Sequence, residues 1–274
     1  MKKFLLICFL SLFNTQGFAG DLSPSIAIKL CSIESTKMQP TFTGTGHLNT
    51  TYKIASIAGR MHEAKALAYF SQYPDEDKNF DAITNAIKNK IPLLNDELSQ
   101  AIVKKLHSLH GGGQDVIMAR RKSLELAIKK NLESSNTIWK SGLLIHAYGD
   151  TFAHTNGKFG SNEEVAYGPK SGHLFHSIFE DNPDNILIGN ATDKYIALVE
   201  NLFTVLETDS SDIGALKAYI IKAKQTNCKT DDCFKREVLG VREFLGFSRF
   251  NSCMDANMKP LSKEQVLEVL NQIQ

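Results

Sequence analysis

His146-Ala147-Tyr148-Gly149-Asp150-Thr151-Phe152-Ala153-His154 places two imidazoles and a carboxylate at i, i+4 and i+8. On an α-helix each residue turns about 100°, so a four-residue step drifts only roughly 40° and rises about 6 Å. The three side chains therefore share one helix face. Buried there without partners they would be costly, which is the weakness of reading them as a plain polar cluster on a core-facing helix. One metal ion satisfies all three, and four-residue spacing is how a helix delivers two ligands to a zinc ion. A second phrase, His173-Leu174-Phe175-His176-Ser177-Ile178-Phe179-Glu180, repeats the step between His176 and Glu180. His173, one turn before His176, is read as lying behind the ligands. All eight histidines fall between His47 and His176.

Working outward, His47 opens a helical stretch that runs to Ala58. A second helix, Glu63 to Tyr73, is expected to end at Pro74-Asp75, where Asp75 could reach an ion; a plain turn residue is the competing account, and Asp77 competes for the role. His107 and His110 close a helix over Leu94–Leu109, just before Gly111-Gly112-Gly113. Charged histidine is also favoured at a helix C-terminus by the dipole, so one ligand is expected of the two. His62, at a junction between helices, is read as a surface residue. Gly142 and Gly149 weaken the first ligand helix by roughly 1 kcal/mol each, which points to close approach of another helix or of substrate.

The rest of the chain is helical in the same way. Asp115–Leu132, Asn190–Leu206 and Asp212–Lys224 carry apolar residues at helical spacing, and Ser262 with Gln265 forms a capping box before the stripe Val266, Val269, Leu270 and Ile273. Turn signals at Pro74–Asp77, Gly111–Gly113 and Asn182-Pro183-Asp184 separate these segments, with Asp184 read as a loop cap. No run alternates apolar and polar residues as a strand does. The expectation is an all-α, multi-helix single domain over residues 20–274, with a metal cluster between helices.

Residues 1–19 read as a signal peptide: Lys2 and Lys3, an apolar run from Phe4 to Phe13 too short to span a bilayer, and small residues before a cut at Gly20. The mature chain is expected to be soluble and exported, secreted or periplasmic. Without Lys2 and Lys3, 29 basic residues face 30 acidic ones, so there is no basic footprint for a stable nucleic-acid partner. No protein partner is evident. Cys31, Cys228, Cys233 and Cys253 remain after processing, an even number that favours disulfides in an exported chain. Cys228–Cys233 closes a short loop and Cys31–Cys253 ties the two ends; a four-cysteine zinc site is the alternative, weakened by the lack of compact spacing.

There is no GxSxG elbow, no phosphate loop and no HExxH. A histidine-rich set with few carboxylates suits zinc better than a di-iron bundle. With these residues in view, the chain resembles the zinc-dependent phospholipase C and S1/P1 nuclease superfamily over roughly residues 46–181. The likeness rests on His146, Asp150 and His154 and on the His176–Glu180 pair; the short gap before His154 is closer to the glycosylphosphatidylinositol-specific phospholipase D branch. It implies an all-α secreted enzyme with two or three zinc ions held by His47, Asp75, His107 or His110, His146, Asp150, His154, His176 and Glu180. Asp150 would bridge two ions, and Asp75 would also serve as general base. Bacterial lecithinases of the family use a mature N-terminal tryptophan on one zinc, whereas the only tryptophan here is Trp139. The implied activity is phosphoester hydrolysis, with phospholipid the first choice of substrate. Loop aromatics such as Phe159 and Tyr167 could make transient contact with a membrane surface, with ordinary loop packing an equal alternative. An S1/P1-type nuclease and a non-catalytic exported zinc-binding protein are the alternatives.

Overall fold

Apolar residues recurring at three and four positions build an all-α fold, as the periodicity predicts. A computed structural model describes residues 20–34, 46–90, 95–169, 191–228, 230–240 and 247–274. The expected signal peptide, His173, His176, Glu180 and Asp184 lie outside the described residues. The helices among them are α1 (Pro24–Glu34), α2 (Gly46–Ile57), α3 (Ala64–Glu76), α4 (Ala82–Lys90), α5 (Glu97–Ala101), α6 (Gln114–Asn131), α7 (Ile138–Ala153), α8 (Ala191–Leu206), α9 (Ile213–Gln225), α10 (Asp231–Phe234), α11 (Phe247–Asn257) and α12 (Lys263–Leu270). Wider π-helical turns, Ile102–Leu106 and Lys235–Gly240, follow α5 and α10.

The ligand helix α7 is the axis of the core. Trp139, Leu143, Leu144, Ala147, Tyr148 and Phe152 are buried along it, and so are the polar His146 and Asp150. It packs against α3, α6 and α8, while α2 lies across α3 and α8. Gly142 sets the approach of α3: a Cβ there would stand 2.4 Å from Phe70 Cβ and 3.0 Å from Leu67 O. This is the close helix contact that the glycine implied.

Three local expectations need correction. The helix before Asp75 does not stop at Pro74 but continues to Glu76. Pro74 has a ring-fixed φ that is compatible with a helix but gives up one i→i−4 bond, and only two residues of α3 follow it. Residues 94–109 are not one helix; Asp96 caps the short α5 by accepting from Ser99 N, and a π-helical turn then brings the chain to His107, whose N–H donates to Ile102 O at 3.0 Å. Two strands of two residues each, β1 (Thr155–Asn156) and β2 (Val165–Ala166), pair antiparallel with Thr155 opposite Ala166. They are too short to leave an alternating pattern.

Both cysteine pairs form as expected. Cys31–Cys253 joins α1 to α11, with Cα atoms 5.6 Å apart, and Cys228–Cys233 closes the short loop. Backbone bonds reinforce the first tie: Leu22 N donates to Asn257 O and Lys259 N to Leu22 O, both at 3.0 Å. Two disulfides fit an oxidising compartment. No helix among the described residues is long and apolar enough to cross a membrane.

Candidate metal centre

Four elements bring ligand-type side chains to one place. Helix α7 presents His146 and Asp150 one turn apart, α2 contributes His47 from its first turn, α3 contributes Asp75 from its last, and His107 ends the π-helical turn. Gly149 makes room for His47, because a Cβ there would stand 2.9 Å from the imidazole Cε1. His47 in turn lies over His146, with ring centroids 4.4 Å apart.

Backbone carbonyls decide which imidazole nitrogens are available. A carbonyl only accepts, so His146 Nδ1 donates to Ser71 O at 2.9 Å and His107 Nε2 donates to Phe80 O at 2.7 Å. In the neutral rings the lone pairs are then on His146 Nε2 and His107 Nδ1, which face each other at 3.1 Å. Asp150 Oδ2 stands 3.4 Å from the first and 3.5 Å from the second. Asp75 Oδ1 lies 3.8 and 3.9 Å from the same two nitrogens. With both rings neutral, lone-pair atoms converge with no proton between them.

Such a cluster needs positive charge, supplied either by protons on the rings or by a cation. Asp150 Oδ2 is buried and has no hydrogen-bond partner, a state that native structures seldom leave unexplained. Burial pushes the Asp150 carboxyl up; where the rings carry the protons, charge on His154 and His146, with bonding from His107 and His146, outweighs it and holds the group well below the usual carboxylate range. The spacing is compatible with an ion: ligand atoms about 2 Å from a metal in a tetrahedral shell lie about 3.3 Å apart. The outer N–H of each ring held by a carbonyl is also the arrangement that orients metal-bound histidines. Imidazole nitrogen and carboxylate oxygen together are a donor set for a divalent metal ion.

Asp150 reaches in two directions. While Oδ2 faces His107 and His146, Oδ1 lies 3.0 Å from His47 Nε2. Two groups thus gather, His47–His146–Asp150 and Asp75–His107–His146, each with ligand atoms within 4.8 Å of one another. The cluster is buried on the α7 side and open on the other. His107, His146 and Asp150 side chains are 0–3% exposed, against 22% for His47 and 40% for Asp75.

The remaining expected residues fall as follows. His154 is the residue after α7 and leaves the helical path; its Nδ1 donates to His107 O at 2.7 Å and lies 3.6 Å from Asp150 Oδ2. Of the pair near the triple glycine, His107 joins the cluster, while His110 Nδ1 turns back to Gly111 O at 2.6 Å. Burial lowers the His110 pKa despite that bond, and Arg120 and Arg121 add to the effect. His110 belongs to neither ligand group among the described residues. His62 is exposed, as read. Phe159 is a packing residue rather than an exposed aromatic: it stacks on Phe152, and the Arg121 guanidinium lies over both rings.

No family model, curated protein or solved structure matches this chain. The site is therefore read from its own geometry and from the sequence pattern. That pattern missed three contributors: the carbonyls of Ser71 and Phe80, which select the ring tautomers, and Gln72, whose amide donates to Asp75 Oδ2 at 3.1 Å. A glutamine inside a helix carries no sequence signal of such a role.

Proposed function

We propose that this chain is an exported zinc-dependent phosphoester hydrolase acting on phospholipids, similar to the zinc-dependent phospholipase C superfamily. The observation that carries the metal part is Asp150 Oδ2, buried and without a hydrogen-bond partner, within 3.6 Å of His107, His146 and His154. The hydrolytic part is supported by the partly exposed edge at His47 and Asp75, since structural zinc sites are closed and catalytic ones keep an open position. The choice of phosphoester rests on the likeness of the His146–Asp150–His154 and His176–Glu180 phrases to that family.

His107, His146, Asp150 and Asp75 would hold one ion, with Asp150 Oδ1 and His47 turned toward a second; His154, His176 and Glu180 complete the proposed set. Zinc bound here would lower the pKa of a bound water toward neutrality and polarise a phosphoryl oxygen. The chain's own residues do the rest. Ser71 O and Phe80 O fix the rings so that lone pairs face inward. Asp150, ionised and buried, supplies the negative charge that a cation needs. Asp75 is the accessible carboxylate, placed to take the proton from an attacking water.

The test is hydrolysis by the purified chain of phosphatidylcholine, phosphatidylinositol and single-stranded DNA, before and after chelation and zinc return. Lipid hydrolysis abolished by chelator and restored by zinc is expected. Cleavage of DNA alone moves the assignment to the nuclease reading, and zinc-loaded protein inert on all three contradicts the hydrolase.

A further inference from the structure

Gln72 has an odd environment for a buried amide. It sits on α3 at 2% exposure, three residues before Asp75. An ionised carboxylate only accepts, so Nε2 is the atom that faces Asp75 Oδ2, at 3.1 Å. The other end of the amide, Oε1, is buried with no partner. A buried acceptor without a donor lowers stability, and an apolar side chain of the same shape would remove that penalty. Asp75 by contrast is 40% exposed, and water can solvate its carboxylate if the amide is removed. The Gln72–Asp75 bond is therefore a poor device for holding the fold together. It is well suited to orientation: with Oδ2 tied to Gln72, Oδ1 is the oxygen turned to His107 Nδ1 and His146 Nε2. Continuation of α3 through Pro74 makes this possible, because it keeps residues 72 and 75 on adjacent helical positions.

We propose that Gln72 is a positioning residue, retained against stability to aim one oxygen of Asp75 at the imidazole pair. This rests on the metal-centre reading above. Amides and carbonyls behind metal ligands matter in this way, with losses of 10–100-fold in affinity when they are removed, as a general order of magnitude.

The experiment is a double-mutant cycle on zinc affinity, read by competition with a chromogenic chelator, together with melting of the metal-stripped proteins. Gln72→Met keeps the volume and removes the donor. Its metal-free form is expected to melt at or above the wild-type temperature, while zinc binding weakens about 10–100-fold. Combined with Asp75→Ala, Gln72→Met is expected to add no further loss, because it acts through Asp75. Wild-type affinity in Gln72→Met, or a loss that persists undiminished in the Asp75→Ala background, overturns the proposal. A metal-free Gln72→Met that melts well below wild type overturns retention against stability, and Gln72→Leu, read in the same cycle, checks that the result is not particular to methionine. A wild-type protein that takes up no zinc removes the metal centre itself, an outcome distinct from a bound metal indifferent to Gln72.

Discussion

At the scale of single residues, the chemistry of the site follows from where protons can and cannot go. Two carbonyls claim the outer N–H of His146 and His107, so their inner nitrogens present lone pairs to a carboxylate. Asp150 is the sharpest consequence. Against the upward push of burial, charge on the imidazoles around it holds its carboxyl well below the ordinary range when they, rather than a cation, carry the positive charge. A depressed folded-state pKa stabilises the fold at pH above the unfolded value of about 3.9, and the contribution is lost as pH falls below that value. In the metal-stripped protein, the urea stability of wild type relative to Asp150→Asn should therefore shrink between about pH 5 and about pH 3. A difference that stays constant over that interval contradicts the electrostatic role. The i, i+4 spacing made His146 and Asp150 readable in advance. Gln72 was not readable, because glutamine is an ordinary helix former and its importance depends on a neighbour brought close by the fold.

At the scale of elements, the loop after α7 is held by a buried ion pair. Arg121 on α6 donates to Glu164 at 2.9 Å and to Thr151 O at 2.7 Å, and the Glu164 side chain is fully buried. Gly160 N also donates to Glu164, and Lys194 donates to Thr155 O. This anchors the β1–β2 hairpin, from which Tyr167 N reaches His154 O. Removing one partner of a buried pair costs about 3–5 kcal/mol, since the other charge is left uncompensated. Arg121→Met should lower the unfolding free energy by that amount in urea denaturation; a loss under about 1 kcal/mol, the range of a surface pair, would show that Glu164 is not stranded. The long helices were legible because their apolar stripes repeat over several turns, as in α6 and α7. The π-helical turn was not: Leu98, Ile102, Val103 and Leu106 fit α-periodicity equally well, and i→i−5 bonding such as that from His107 N to Ile102 O separates the two. That difference decides which of His107 and His110 reaches the site.

At the scale of the whole molecule, the chain ends are fastened around the core that carries the site. The Cys31–Cys253 bridge has a sequence separation of 222 residues, while Cys228–Cys233 spans 5. In the chain-entropy account, a cross-link stabilises by restricting the unfolded state, and more so for a longer loop. Loss of the long bridge in Cys31→Ala with Cys253→Ala is expected to cost about 5 kcal/mol, and loss of the short one about 2 kcal/mol. Equilibrium unfolding of the two double variants measures both, and an equal cost would contradict the loop-length origin. Cysteine parity and exported context made this pairing legible before the fold was known. What the sequence pattern could not supply was the convergence of α2, α3 and the π-helical turn on α7, because those contacts join residues far apart in the chain.

The central claim is that His107, His146, Asp150 and Asp75 form a metal centre. Metal analysis of the mature chain, purified without chelator and compared with Asp150→Asn, tests it directly. The account predicts two or three zinc ions per chain in the wild type and at least one fewer in a folded variant. A wild-type protein with no bound zinc, or an Asp150→Asn protein that retains the full complement at undiminished affinity, would contradict it.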